Sequence, residues 1–243
     1  MDTKKGVIPK HDISIHEDLK IDSLKSDDIF EALGTAATAS SAARRRYVIC
    51  IDATSSMGPV WTMAKKAAKQ SIDEIKRKAS CPIQVRIIAY RDITCDTNFI
   101  ESSEWSDDTL YLREFIDKMG CQGGGDYPES VDVGLMEALI DRPNQIILIG
   151  DAPGRPESPG FKEAEAAGQT ECPIFALYTD EDAKLVKNFT RIAKLSGGKA
   201  MHLKNLDVME DILSVLLSSD KRLMITYEPK TLEGKKLLED LKK

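Results

Sequence analysis

The chain has 243 residues, 42% of them hydrophobic and 30% charged, a composition that suits a soluble globular protein with enough apolar material for a core. A formal charge of −6 argues against a general nucleic-acid binder, which wants a basic face, and the short run Arg44, Arg45, Arg46 does not reverse that. No stretch approaches the roughly 20 apolar residues of a membrane span, and the opening MDTKKGVIPKHDISIHEDLK has no apolar region of a secretory signal.

The five cysteines, Cys50, Cys81, Cys95, Cys121 and Cys172, form no CxxC pair. Cys50 lies inside the apolar run YVICI, and Cys81 and Cys172 each precede a proline and a strand-like run. They are expected as small buried hydrophobes or strand starts, not as a disulfide framework or a zinc site. A reducing, cytoplasmic compartment is the corresponding expectation.

Residues 1–45 are polar and acidic and then turn into a small-residue stretch, which reads as a tail or linker with at most a short helix around Ile29 to Leu33. From Tyr47 the pattern becomes regular. YVICI (47–51) is an unbroken apolar run of the kind found in strands covered on both faces. Val60, Ala64, Ala67, Ala68, Ile72, Ile75 and Ala79 then recur at helical spacing, with Pro59 in the first turn where proline is tolerated.

IQVRIIAY (83–90) predicts a strand, 97–102 an edge pairing back on it, and 107–119 a helix opened by Asp107 and Asp108. A helix over 130–140, a buried strand over 145–150, a helix over 161–168 stopped by Gly168 and a strand over 172–179 follow. A helix ending in Gly197-Gly198, a short strand AMHL and an amphipathic helix from Asp207 complete the alternation. The last stretch, from Leu223, suggests a strand and a charged helix. Strands alternating with helices of this length imply an α/β protein with a mostly parallel sheet and helices on both faces.

In such open sheets ligands bind outside the carboxyl ends of the strands, near the point where strand order reverses. Three polar clusters fall there: DATSSMG (52–58), GCQGGGDYPES (120–130) and GDAPG (150–154). In the first, Asp52, Thr54 and Ser56 alternate, so that one carboxylate and two hydroxyls can point toward a common centre. That oxygen-only set suits a hard cation, Mg2+ or Mn2+, with Ca2+ as a further choice, and Asp151 adds a second carboxylate from a neighbouring strand end. Helix capping explains a lone DxTxS equally well; the other two loops tip the balance toward a metal.

DATSSM, AYRDITCD, GGGDYPESVDVGL and ILIGDAPG, in that order, resemble the von Willebrand factor A domain, and most closely the subgroup found beside alpha-kinase domains and in related microbial proteins. The resemblance covers about residues 46–218, leaving 1–45 as the tail and 219–243 as a C-terminal extension. It implies a six-stranded, doubly wound Rossmann-like sheet carrying a metal-ion-dependent adhesion site (MIDAS). Asp52, Thr54 and Ser56 would match its DxSxS motif and Asp151 its later acidic residue. The second loop departs from the family: the position where relatives offer threonine falls on Glu129, with Asp126 as the next candidate ligand. Glycines Gly123 to Gly125 would let the backbone come close to the ion. They lack the following lysine and hydroxyl of a phosphate-binding loop.

Three functions remain open at this point. The first is a metal-dependent protein-binding module, not an enzyme, whose cation accepts an acidic side chain of a partner. The second is a metal-dependent phosphoesterase using Glu129 or Asp126, or a phosphoryl-accepting Asp52, although Thr54 stands where a second aspartate would be expected and no lysine is placed to steady the phosphoryl group. The third is a scaffold with a vestigial site. The Ser/Thr-rich first loop favours the module. No kinase-like segment exists in the chain, so any kinase partner would act in trans. Arg91 and Asp92 are expected as a structural pair or turn, Trp61 and Trp105 as packing residues, and His11, His16 and His202 as unrelated to a site.

Overall fold

The computed structural model describes residues 44–78, 82–94, 97–125, 127–204 and 228–241, with the single positions 207, 211 and 215. The expected helix at Ile29 to Leu33, the candidate ligand Asp126, the bulk of the helix from Asp207 and the strand expected after Leu223 lie outside them.

Six strands form one sheet: β1 (Arg45–Asp52), β2 (Ile83–Tyr90), β3 (Ile100–Ser102), β4 (Gln145–Gly150), β5 (Ile174–Tyr178) and β6 (Ala200–His202). Their order is β3-β2-β1-β4-β5-β6, with every neighbouring pair parallel except β2 and β3. The helices are α1 (Gly58–Lys78), α2 (Thr109–Lys118), α3 (Val131–Leu139), α4 (Phe161–Gln169), α5 (Ala183–Ser196) and α6 (Leu232–Leu241). This is the Rossmann-like α/β arrangement expected from the alternation.

Strand β1 shows why its sequence lacks alternation. Tyr47, Ile49 and Ile51 face one apolar cluster, with Ala64, Ala68 and Ile72 of α1 and Leu112 and Ile116 of α2. Val48 and Cys50 face the other, with Val131 and Leu135 of α3, Ala164 and Ala167 of α4 and Phe189 of α5. Successive side chains of a strand point to opposite faces, and both faces are covered here. Leu237 of α6 is buried in the first cluster, so the C-terminal helix packs on the same face as α1.

Helix α2 starts where its sequence signal lies: the Asp108 carboxylate accepts from the backbone N–H groups of Leu110 and Tyr111. Trp61 is buried in the core, and the Trp105 indole N–H donates to Asp141 at 2.6 Å, so both serve packing as expected. Gly168 does not stop α4, which continues to Gln169. A Cβ there would lie 2.5 Å from the Leu195 carbonyl oxygen, so this glycine exists for the close approach of α4 to α5.

Candidate functional site

β1 and β4 are neighbours, yet α1 after β1 covers one face of the sheet and α4 after β4 covers the other. The two outgoing loops therefore diverge and leave a crevice at the strand ends, with Asp52 on one side and Asp151 on the other. Asp52 is fully buried. Its Oδ1 accepts from the Thr54 N–H at 2.9 Å and from the Thr54 hydroxyl at 2.7 Å. This carboxylate-to-backbone turn brings the chain directly off the strand. The Thr54 hydroxyl lies 3.0 Å from Ser56 Oγ, which donates to Asp151 Oδ1 at 3.1 Å. Four side chains from two strand ends thus form one hydrogen-bonded row of oxygens.

The second loop is stitched to the first by backbone. Ser55 donates through its N–H and its hydroxyl to the Gly123 carbonyl, and the Gln122 N–H donates to Ala53. Gly124 has φ +72, and a Cβ on it would meet Thr54 Cβ at 2.9 Å; the close approach needs glycine. Thr54, Ser56, Gly124, Tyr127 and Glu129 line a small pocket of about 170 Å³. Glu129 is buried and its backbone N–H donates to the Pro153 carbonyl, which ties the second loop to the third.

Electrostatics mark the row as costly without a cation. Burial pushes the Asp52 carboxyl up to about 7, with Asp151 adding to the rise while the Thr54 hydrogen bonds and the Arg91 guanidinium oppose it. Burial likewise raises the Asp151 carboxyl, and the hydrogen bond from Ser56 opposes it. Asp52 Oδ2 is buried with no hydrogen-bond partner among the described residues. An orphaned buried carboxylate oxygen costs about 1–3 kcal/mol or more, and a hard cation is a partner that would satisfy it. The donor set of two carboxylates and two hydroxyls fits Mg2+, Mn2+ or Ca2+, which bind oxygen. Among the described residues no three His, Cys, Asp or Glu side chains gather in a metal-holding group, so Glu129 lines the pocket beside Thr54 without making a three-acid cluster with Asp52 and Asp151.

Of the pair or turn expected at Arg91 and Asp92 the turn forms, with the Asp92 carboxylate accepting from the Thr94 N–H at 2.9 Å, and the two residues do not pair with each other. Arg91 is buried and donates to Glu101 at 3.2 Å, to the Gly120 carbonyl at 2.9 Å and to the Asn98 carbonyl at 3.2 Å. Asp92, also buried, accepts from Thr94 and from the buried Ser130 hydroxyl and lies 3.9 Å from Arg155, which in turn reaches Asp132. The two residues leave β2 toward opposite faces and anchor different loops. The alternation of β2 was a signal for that divergence; the reach of Arg155 back to Asp92 had none. His202 stacks on Tyr178 and pairs with Glu181 at 3.4 Å, on the far edge strand.

The family model for the von Willebrand factor A domain matches residues 46–205, well over half of the chain. No curated protein sequence matches it. Among solved structures, the fold is shared with a von Willebrand factor type A protein from Catenulispora acidiphila, at TM-score 0.59 and 16% identity over 72% of this chain and 42% of that one. BatB from Bacteroides thetaiotaomicron, a conserved hypothetical protein, aligns at 0.56 and 16% over 74% of this chain and 100% of its own. Proximal thread matrix protein 1 from the mussel byssus, whose MIDAS motif is zinc-occupied in that structure, aligns at 0.57 and 16% over 72% and 46%. The chain thus spans under half of the Catenulispora and mussel chains. With the 3-2-1-4-5-6 sheet and the row of site oxygens in place, the chain belongs to the von Willebrand factor A domain family.

Proposed function

We propose that this chain is a metal-dependent protein-binding module, with Asp52, Thr54, Ser56 and Asp151 holding a divalent cation. The observation that carries the reading is the buried, unpartnered Oδ2 of Asp52 at the head of a row of oxygens that otherwise hydrogen-bond one another. When bound, the cation supplies a position that a partner's carboxylate oxygen can complete. The protein's own contribution is preorganisation: the turn at Asp52 fixes Thr54, and the Gly123 carbonyl fixes Ser55 between the two hydroxyl residues. The Arg91 guanidinium moderates the negative charge of Asp52.

Binding is favoured over turnover because the described residues lining the small pocket are glycines, hydroxyls, Tyr127 and Glu129, with none of the lysine, arginine or histidine groups among them that steady a transferring phosphoryl. The partner is inferred to be an intracellular protein presenting an acidic side chain, and the resemblance to the alpha-kinase-associated subgroup makes a kinase in trans the class to try first. Mg2+ titration of the dialysed protein tests the reading. The melt should rise with metal in the wild type and stay flat in Asp52→Ala. A wild-type melt that stays flat in millimolar Mg2+, Mn2+ and Ca2+ overturns it.

A further inference from the structure

A second pocket, of about 380 Å³, opens beside the candidate metal site. Its floor is apolar, formed by Pro128 of the second loop, Pro153 and Pro159 of the loop after β4, and Phe161 at the start of α4. Its rim is cationic: Lys184, Lys187 and Arg191 project from α5 at helical spacing, so they share one face. Tyr127 lines both this pocket and the smaller one at Thr54 and Ser56, so the two are adjacent along one surface.

The walls are held before any ligand arrives. Asn188, buried on α5, accepts from the Gly154 N–H at 3.1 Å and donates to the Pro159 carbonyl at 3.0 Å, which fixes the third loop to the helix. The Tyr127 hydroxyl donates to Asp182 at 2.7 Å, which fixes the second loop to the start of the same helix. Proline walls and stapled loops lose little freedom on binding. The rim charges differ in their engagements. Arg191 already lies 4.2 Å over the Phe161 ring. Lys184 and Lys187 are exposed and make no ion pair among the described residues. The Asp182 carboxylate accepts from the Tyr127 hydroxyl and from the backbone N–H groups of Lys184 and Leu185. Lys184 acts across space on Asp182, and Lys187 and Arg191 add two further cationic groups on the same helix face over the apolar floor.

We propose that this pocket takes a partner peptide that sets an aromatic side chain on the proline and Phe161 floor and flanking carboxylates against Lys184 and Lys187. This anchor would belong to the same segment whose acidic residue completes the metal site, and in that clause the inference rests on the function proposed above. Charge complementarity selects an acidic peptide over a basic one. The apolar floor selects one with an anchor over a plain polyanion.

The test measures fluorescence anisotropy of labelled peptides with the full chain in EDTA, so that no cation takes part. One peptide carries a phenylalanine flanked by glutamates, the second replaces the glutamates by glutamine, and the third replaces the phenylalanine by serine. The first should bind, the second and third about five-fold or more weakly than the first, as expected for two partly exposed ion pairs or one apolar anchor. Lys184→Glu with Lys187→Glu should weaken the first by a similar factor while the melt is unchanged. Equal binding of the glutamine peptide overturns the charge match, and equal binding of the serine peptide overturns the anchor. No binding of the first peptide at millimolar concentration overturns the proposal, as does self-association that the lysine reversals abolish, which would assign the face to a second copy. A fourth peptide, the first extended by a C-terminal aspartate, separates the two readings. A gain in Mg2+ that Asp52→Ala removes supports both. If no gain is seen while the EDTA results stand, the metal reading falls and the pocket remains.

Discussion

Replacing Asp52 by asparagine should stabilise the metal-free protein and erase its response to metal. The Asp52 carboxyl is fully buried and pushed up to about 7 from an ordinary 3.8. At about 1.4 kcal/mol per pH unit, the difference makes the ionised form cost about 4 kcal/mol at pH 8. Asparagine removes that charge and keeps an oxygen to accept from Thr54, but it places an N–H group where Oδ2 has no partner, at about 1–3 kcal/mol. The net expectation is a gain of about 2 kcal/mol in EDTA, about 6 °C in the melt of a chain this size. The wild type should carry a matching pH signature. A carboxyl whose folded pKa lies above its unfolded value holds a proton in the folded state that the unfolded chain has released. Its stabilising contribution is therefore lost as pH rises from about 4 to about 7, and changes no further above that. Asp52→Asn should lack this slope. Below about pH 7, Mg2+ must displace the proton, so its apparent affinity should fall up to about ten-fold per pH unit. Denaturant titrations from pH 5 to 8, with EDTA and with Mg2+, measure all of this. A substitution that destabilises in EDTA at pH 8, or that leaves the Mg2+ shift intact, refutes the reasoning.

Gly168→Ala should lose about 1–2 kcal/mol in denaturant titration despite alanine's helix propensity, because the methyl would meet the Leu195 carbonyl oxygen at 2.5 Å; a gain would show that α4 and α5 have room to part. Arg91→Met should lose about 3 kcal/mol by leaving Glu101 and two carbonyls without their donor, and should enlarge the metal-induced rise of the melt, since a positive charge near Asp52 is gone. A smaller metal shift in Arg91→Met would contradict that electrostatic role. Glu129→Gln removes a negative charge from the pocket wall beside Thr54, so calorimetry in Mg2+ should show tighter binding of acidic peptides, and unchanged affinity would remove Glu129 from the binding surface.

What the sequence disclosed and what it hid divide by distance along the chain. Asp52, Thr54 and Ser56 were legible because their hydrogen bonds run between residues two apart, which spacing alone can express. Asp151 is 95 residues from Ser56 and was reached through topology: a neighbouring strand end in an α/β alternation opens into the same crevice. The turn at Asp92 was legible for the same reason, since its bond from the Thr94 N–H spans two residues, while the alternative of a pair between Arg91 and Asp92 did not form. Arg91 and Asp92 are consecutive residues leaving a strand, and the two-residue period sends their side chains apart, to Glu101 and to Ser130. Gly168 looked like a helix stop because it ended an amphipathic run, but the requirement it meets is set by Leu195, on another helix.

The loop after β4 shows how far such unreadable contacts matter for function. Asp151 opens it and joins the oxygen row through Ser56, while Pro153 and Pro159 further along form the floor of the larger pocket. The loop is held at several places, among them Pro153 accepting from Glu129, Gly154 donating to Asn188, and Arg155 reaching Asp92 and Asp132. These partners come from distant parts of the chain, and none shares a local pattern with the loop. A segment fixed at several points can keep Asp151 in place without a cation and keep the proline floor in place without a peptide. Preorganisation of the two pockets is therefore one property, because the contacts that set the second carboxylate also set the apolar wall beside it.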